Sequence, residues 1–427
     1  MKINRHSPPA LHPPGTPTLI PHRDTRLGNG MNVTCLHDPL QETCKIDLVL
    51  PHGIYHQPRP LLASTTINLL NEGTGTLTAA EIAEFFDFHG ASIELHTGMH
   101  HSTISILSLR EHAGKMIEML ATMILESAFP RREMEIFTRN KKQQHEDNMG
   151  KTSYLAQRAF SRLLHGEQHP YANHFTGEDF DRVTTAGIRE FYRARLSATA
   201  TRVILSGNVD EAALLPVVER AFSSLPPLPL APDEEIPPSP ASPGIYRVDK
   251  PKAVQASIRV GKEGARLHEE DYIPFLLLNT VLGGYFGSRL MSNIREEKGY
   301  TYGIHSANVN LERGAYWMIS TEVNAGQANA TVDEIRKEIT RLQEKTIPDD
   351  ELRLVKSYYH GEILRELDGV YAQAGTLRYY LEYGLDLSFY LRALESVKAC
   401  TPARLLEIAR ERLPLDKMIF VIAGGEQ

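Results

Sequence analysis

Residues 184–210, TTAGIREFYRARLSATATRVILSGNVD, align without a gap on residues 401–427, TPARLLEIARERLPLDKMIFVIAGGEQ. Thr184 meets Thr401, Leu196 meets Leu413 and Gly207 meets Gly424, each pair 217 apart (401 minus 184, 413 minus 196, 424 minus 207). Each copy reads as a helix running into an apolar strand, so the chain holds one unit twice. Between the copies, Leu225 to Gly244 reads LPPLPLAPDEEIPPSPASPG, which is acidic and too rich in proline for a helix or a central strand. The expected architecture is therefore α+β with two duplicated domains, each a mainly antiparallel sheet packed with helices. The boundaries are an extended Pro- and His-rich arm over 1–17, a first domain over 18–224, a linker over 225–244 and a second domain over 245–427. A ligand cleft is expected between the halves.

Working outward through the first half, Gly28-Asn29-Gly30 signals a hairpin, and CKIDLVLPHG alternates as a strand. Pro58 to Leu70 and Thr78 to Phe88 read as helices, the second opened by Thr78 with Glu81 three positions on. A strand hairpin spans ASIELHTGMHHSTISILSL, an amphipathic helix runs from Arg110 to Ser127, and a long helical region runs from Arg131 to His165. The second half repeats this order, with strand, two helices, strands over Tyr300 to Val323, and further helices before a final strand.

The 427 residues carry 46 Lys plus Arg against 53 Asp plus Glu, a net charge of −7, which favours neither nucleic acid nor an anionic membrane as partner. Three scattered cysteines, Cys35, Cys44 and Cys400, do not make a disulfide framework or a sulfur-rich zinc site. No apolar run reaches signal-peptide or membrane-span length, so a cytoplasmic protein is expected.

The chemistry concentrates in Leu282 to Ala307, LGGYFGSRLMSNIREEKGYTYGIHSA. It reads as a glycine turn, a helix carrying Arg289 and Arg295, a stop at Gly299 and an alternating strand with Tyr302. Arg295 and Tyr302 stand seven apart across a helix-to-strand junction, where a guanidinium and a phenol can converge on a carbonyl oxygen or a developing oxyanion. The competing reading pairs Arg295 with Glu296 or Glu297 and packs Tyr302 in a sheet.

The 18 histidines call for a check of zinc chemistry. A metallopeptidase helix needs His at i and i+4 with Glu at i+1 or i+3. In His165-Gly-Glu167-Gln-His169 the Glu falls at i+2 and Pro170 follows, which reads as a turn with surface histidines. His96 and His100 would share one face of a strand and His101 the other, without a nearby carboxylate to act as base. No phosphate-binding glycine loop and no G-x-S-x-G elbow is present.

On the R-E-E-K-G-Y-T-Y run and the order of elements around it, the chain resembles the pitrilysin family of zinc peptidases, which includes insulin-degrading enzyme and the mitochondrial processing peptidase. The resemblance implies that Arg295 and Tyr302 contact substrate near the scissile bond, across a chamber from the zinc. It also implies an HxxEH helix before a G-T turn. Aligning that turn on Gly73-Thr74 puts Ser64, Ile67 and Asn68 at the first His, the Glu and the second His, and the third ligand near Gln143 or Gln144. A hydroxyl, an alkyl group and an amide supply neither metal affinity nor a base. The expectation is a chain that binds no zinc itself and serves as the zinc-lacking subunit of a heterodimeric metalloendopeptidase, with zinc in the partner subunit and a peptide as substrate. The alternative is a non-catalytic peptide-binding or assembly scaffold, which a stable homodimer would favour.

Overall fold

Two sheets, one on each side of the proline-rich coil, organise the computed structural model, which describes residues 15–230 and 236–425. The first half runs β1 (His22–Arg26), β2 (Asn32–His37), β3 (Thr43–Leu50), α1 (Leu62–Asn68), α2 (Ala79–Phe88), β4 (Ser92–Thr97), β5 (Ser102–Leu109) and α3 (Ala113–Leu125). It continues with α4 (Arg131–Met149), α5 (Thr152–His165), α6 (Gly177–Asp181), α7 (Thr185–Arg195), β6 (Arg202–Gly207) and α8 (Glu211–Ala221). The second half runs β7 (Gly244–Val248), β8 (Gln255–Glu263), α9 (Tyr272–Asn279), β9 (Thr301–Leu311), β10 (Gly314–Asn324) and α10 (Ala328–Glu344). It ends with α11 (Asp349–Glu366), α12 (Gly369–Leu381), α13 (Ser388–Ala399), α14 (Pro402–Arg412) and β11 (Ile419–Ala423).

The strand orders are β1-β2-β6-β3-β5-β4 and β7-β11-β8-β10-β9. In each sheet the repeat's strand, β6 or β11, pairs parallel with an early strand of its half, β2 or β7, and antiparallel with the next, β3 or β8. The two sheets are thus the same sheet, with β1 added at one edge. The repeat is also local. Thr184 and Thr401 both cap their helices, accepting from the N–H groups of Gly187 at 3.1 Å and Arg404 at 3.2 Å. Gly207 and Gly424 both take positive φ, 98° and 76°, where a Cβ would be strained.

The same offset runs further back than the sequence alignment shows, since α5 starts at Thr152 and α12 at Gly369 (369 minus 152 is 217). These two helices are exchanged. Helix α5 packs on β8 and β11, where Phe160, Ala156 and Leu164 meet Ile419, Val421 and Ala423. Helix α12 packs on β2 and β6, and Leu36, Val49 and Ile204 of the first sheet belong to the core that holds Ala374 and Leu377. Each half therefore covers an apolar sheet face that the other half could not bury alone.

Several boundaries differ from the sequence reading. The region 131–165 is two helices, because Gly150 and Lys151 break it and let α5 turn onto the other sheet. Helix α1 starts at Leu62 rather than Pro58, since Pro60 disfavours helical geometry at the residue before it. The hairpin at 27–31 and the Thr78/Glu81 capping box form as read. In the linker, the described residues form coil tied to the body: the N–H groups of Ser239 and Ala241 donate to His165 and Leu163 at 2.9 and 2.7 Å, and β7 begins at Gly244. Of the expected arm, residues 1–14 lie outside the described residues. Gly15 accepts from His360 at 2.9 Å and Ile20 donates to Gln373 at 2.7 Å, which straps the chain's start to α11 and α12.

His52, directly after β3, has no exposed surface and packs against the rings of Phe191 and Tyr192 with Nε2 2.9 Å from the Tyr192 carbonyl oxygen. Burial lowers its pKa from 6.5 to about 4, against the hydrogen bond to Tyr192, with Arg195 and His56 adding to the fall. The folded state thus disfavours the proton that the unfolded chain takes up near 6.5, and stability is lost as pH falls through that window. The expected slope from this one group is about 1.4 kcal/mol per pH unit. Denaturant titrations of wild type and His52→Gln should show a stability gap that shrinks as the medium is acidified, and a gap independent of pH would refute the assignment.

Candidate functional site

Tyr302 lines an open cleft of about 810 Å³ in the second half with Gly283, Tyr285, Phe286, Ser320 and Glu322 among others, and Arg295 stands beside its rim against Phe286 and Tyr302. Two π-helical turns flank it, Thr280–Gly284 and Met291–Glu297, a geometry common where helices are distorted for function. The second turn carries Arg295 and ends at Gly299, whose φ of 66° permits the reversal into β9. Its inner side is anchored by Leu290 and Ile294 in the core. Its polar side is pinned by a bidentate Arg289–Glu351 pair at 2.8 and 2.7 Å and by Asn293 donating to Glu334 and Glu338 at 2.9 and 2.7 Å.

The Arg295 guanidinium lies between two aromatic rings, 4.4 Å from the centroid of Phe286 and 5.5 Å from that of Tyr302. Among the described residues no carboxylate pairs with it, so the ion pair with Glu296 or Glu297 is not formed. Tyr302 is 92 % exposed and Phe286 62 %, which is unusual for packing aromatics and leaves the phenol facing solvent beside a half-buried guanidinium.

The other sequence-derived positions gather in the first half. Ser64, Asn68 and Gln144 line one cavity of about 330 Å³ together with His96, His145 and Tyr154. Ser64 and Asn68 stand one turn apart on α1, and Asn68 donates its side-chain N–H to the Ser64 carbonyl at 2.8 Å. Ile67 points the other way and is fully buried in the first-half core. Gln143 is turned out and donates to Asp147 at 3.0 Å, so the helix register selects Gln144. Edge strand β4 passes this cavity with Leu95, His96 and Thr97.

His145 was missed by sequence reasoning, although it follows Gln144 directly. Its Nδ1 lies 2.8 Å from the Tyr154 hydroxyl, and burial, aided by Arg158 and opposed by Glu146, lowers its pKa. With only two imidazoles and no carboxylate among its lining residues, this cavity lacks the three or four ligands of a lasting zinc site.

Other histidines are not where the sequence suggested. His165 and His169 are buried rather than on the surface: they stack at 5.7 Å, and His169 Nε2 meets the Ile236 carbonyl of the linker at 2.8 Å. His100 lies in the β4–β5 turn rather than on a strand face shared with His96, and is buried against Tyr55 and Tyr171. None of the helices among the described residues is long and apolar enough to cross a membrane.

Residues 182–359 match the family described as "Peptidase M16 inactive domain". A Bacillus subtilis protein named "Uncharacterized zinc protease YmxG" is 23 % identical over 351 residues, 80 % of this chain and 83 % of its own length. A Helicobacter pylori protein named "Non-peptidase homolog YmxG" is 21 % identical over 382 residues, 86 % of this chain and 85 % of its own. Among solved structures, a peptidase M16 inactive domain from Pseudomonas fluorescens superposes with a TM-score of 0.86 at 22 % identity, covering 95 % of this chain and 98 % of that one. A protease from Helicobacter pylori gives 0.84 at 18 % identity, covering 95 % and 100 %.

Proposed function

We propose, from the premise that the chain belongs to the M16 or pitrilysin family of peptidases as a member without the zinc motif, that it is the zinc-lacking subunit of a heterodimeric metallopeptidase. A zinc-bearing subunit of the same fold supplies the metal and the general base. This chain supplies Arg295 and Tyr302 to bind a peptide and stabilise its oxyanion, and half of the chamber wall. The observation that carries the reading is the contrast between the two cavities. The one at the degenerate motif offers Ser64, Asn68 and Gln144, with two imidazoles but no carboxylate among its lining residues, whereas Tyr302 is presented to solvent beside a half-buried Arg295 that has no carboxylate partner among the described residues. A hydrolytic site needs both a nucleophile generator and oxyanion donors, and on this reading Arg295 and Tyr302 supply the donors while the partner supplies the generator.

A scaffold or peptide-binding role without catalysis is the second reading, and the non-peptidase name of the Helicobacter pylori relative favours it. The two separate on one experiment. The chain alone is expected to leave a quenched fluorescent peptide intact, and to restore cleavage when copurified with an M16 relative that keeps HxxEH. A stable homodimer that binds peptide, yet stays inert with every zinc-bearing relative from its own genome, would reject the subunit reading in favour of the scaffold.

A further inference from the structure

The tips of the two equivalent hairpins meet between the halves. The turn after β4 brings His100 and His101, the turn after β9 brings Glu312, and the C-terminal end of α12 brings Glu382. One ligand atom each from His101, Glu312 and Glu382 lies within 4.8 Å of the others, the one such His/Cys/Asp/Glu cluster among the described residues. His101 Nδ1 is 2.9 Å from Glu312 Oε1. Against the expectation that the chain binds no zinc, and away from the degenerate motif on which that expectation rested, we propose that this cluster is a binding site for a divalent transition-metal ion of the zinc type, held by His101, Glu312 and Glu382 and joining the two halves of the chain.

The donor set is an imidazole and two carboxylates, which suits zinc. Ligands about 2.0–2.2 Å from a tetrahedral ion stand about 3.3–3.6 Å apart, so small side-chain rotations within the observed spread would seat one. A second observation points the same way. His100 is 5 % exposed, its Nδ1 has no hydrogen-bond partner, and that atom lies 3.5 Å from Glu312 Oε2. Its other nitrogen meets the Tyr171 hydroxyl at 2.8 Å, and this hydroxyl also accepts the Arg313 backbone N–H at 3.1 Å. That is the outer partner a metal-bound imidazole requires, and it makes His100 the candidate fourth ligand.

The site divides by origin, because the imidazoles come from the first half and the carboxylates from the second. An ion there would fasten the clasp made by the exchanged helices. His101 and Glu312 keep about a quarter of their side-chain surface exposed, which leaves a way in for the ion.

The full chain, purified without a histidine tag and stripped with a chelator, should take up one Zn²⁺ in calorimetric titration, with a rise in thermal midpoint. Glu382→Gln and Glu312→Gln, isosteric and checked for native circular dichroism, should each weaken binding by more than about tenfold. Bound Co²⁺ should give the visible bands of a low-coordinate site that these variants abolish. His96→Ala should bind as wild type does. No saturable binding would overturn the proposal and leave the cluster an ion-pair network, without touching the subunit reading, which rests on a different cavity. Binding that survives both Glu variants and fails in His96→Ala would also overturn it, and would count against the subunit reading as well.

Discussion

Arg295→Ala and Tyr302→Phe are each expected to lower peptide turnover by on the order of 10²–10³ in the complex with a zinc-bearing relative. Both should leave the dimer intact. The negative charge that grows on the scissile carbonyl needs donors on the wall facing the zinc. On the proposed reading those donors are Tyr302, which lines the cleft, and Arg295 beside it, which has no carboxylate partner among the described residues. The effect should fall on kcat more than on KM, since a contact that strengthens as charge develops is weak in the ground state. The two substitutions separate two roles. Tyr302→Phe keeps a ring beside the guanidinium, 5.5 Å from its centroid in the native chain, and removes only the hydroxyl. A loss in that variant therefore reports the phenol as donor, whereas a loss confined to Tyr302→Ala would report the ring as a support for Arg295. Copurification, size analysis and steady-state cleavage decide it. Wild-type kcat in both primary variants would assign the pair to packing and favour the scaffold.

Cutting the linker is expected not to separate the halves, whereas Phe160→Ala should cost about 3–5 kcal/mol and weaken their association. Phe160 is fully buried between α5 and the second sheet, and its ring tip would lie only 2.6 Å from a Cβ placed on Gly261. That glycine is what lets a helix from the first half approach β8 so closely. Truncating Phe160 leaves a void in a face that no residue of the second half can refill. The reciprocal contact is Tyr371 of α12, whose hydroxyl lies 2.5 Å from Thr43 Oγ1 and would lie 2.6 Å from a Cβ on Gly207. Limited proteolysis followed by size exclusion should give a nicked complex that elutes as one species, and Phe160→Ala should dissociate at lower denaturant once nicked. Two separately eluting, folded halves after nicking of the wild type would show that the exchange contributes little to holding them.

The sequence by itself determined the duplication, the α+β class, the cap at Thr78, and the absence of base and imidazoles at Ser64, Ile67 and Asn68. These are local or periodic properties: a cap is satisfied within one turn, alternation fixes a strand's faces, and a missing functional group is missing in any fold. The side-chain types at Arg295 and Tyr302, to which the proposed chemistry is assigned, were legible for the same reason. Their freedom from carboxylates was not, because it depends on Phe286 and Tyr302 flanking the guanidinium and on Arg289 pairing with Glu351, 62 residues away. Only the tertiary structure decided which sheet α5 and α12 cover, since an amphipathic helix records that one face is apolar and not whose surface buries it. The same limit hid His145 beside Gln144, buried His165 and His169, and separated His96 from His100. It also brought His101 to Glu312 and Glu382: these three come from distant turns and a helix end, and no spacing along the chain encodes a meeting that depends on how two copies of one fold are set against each other.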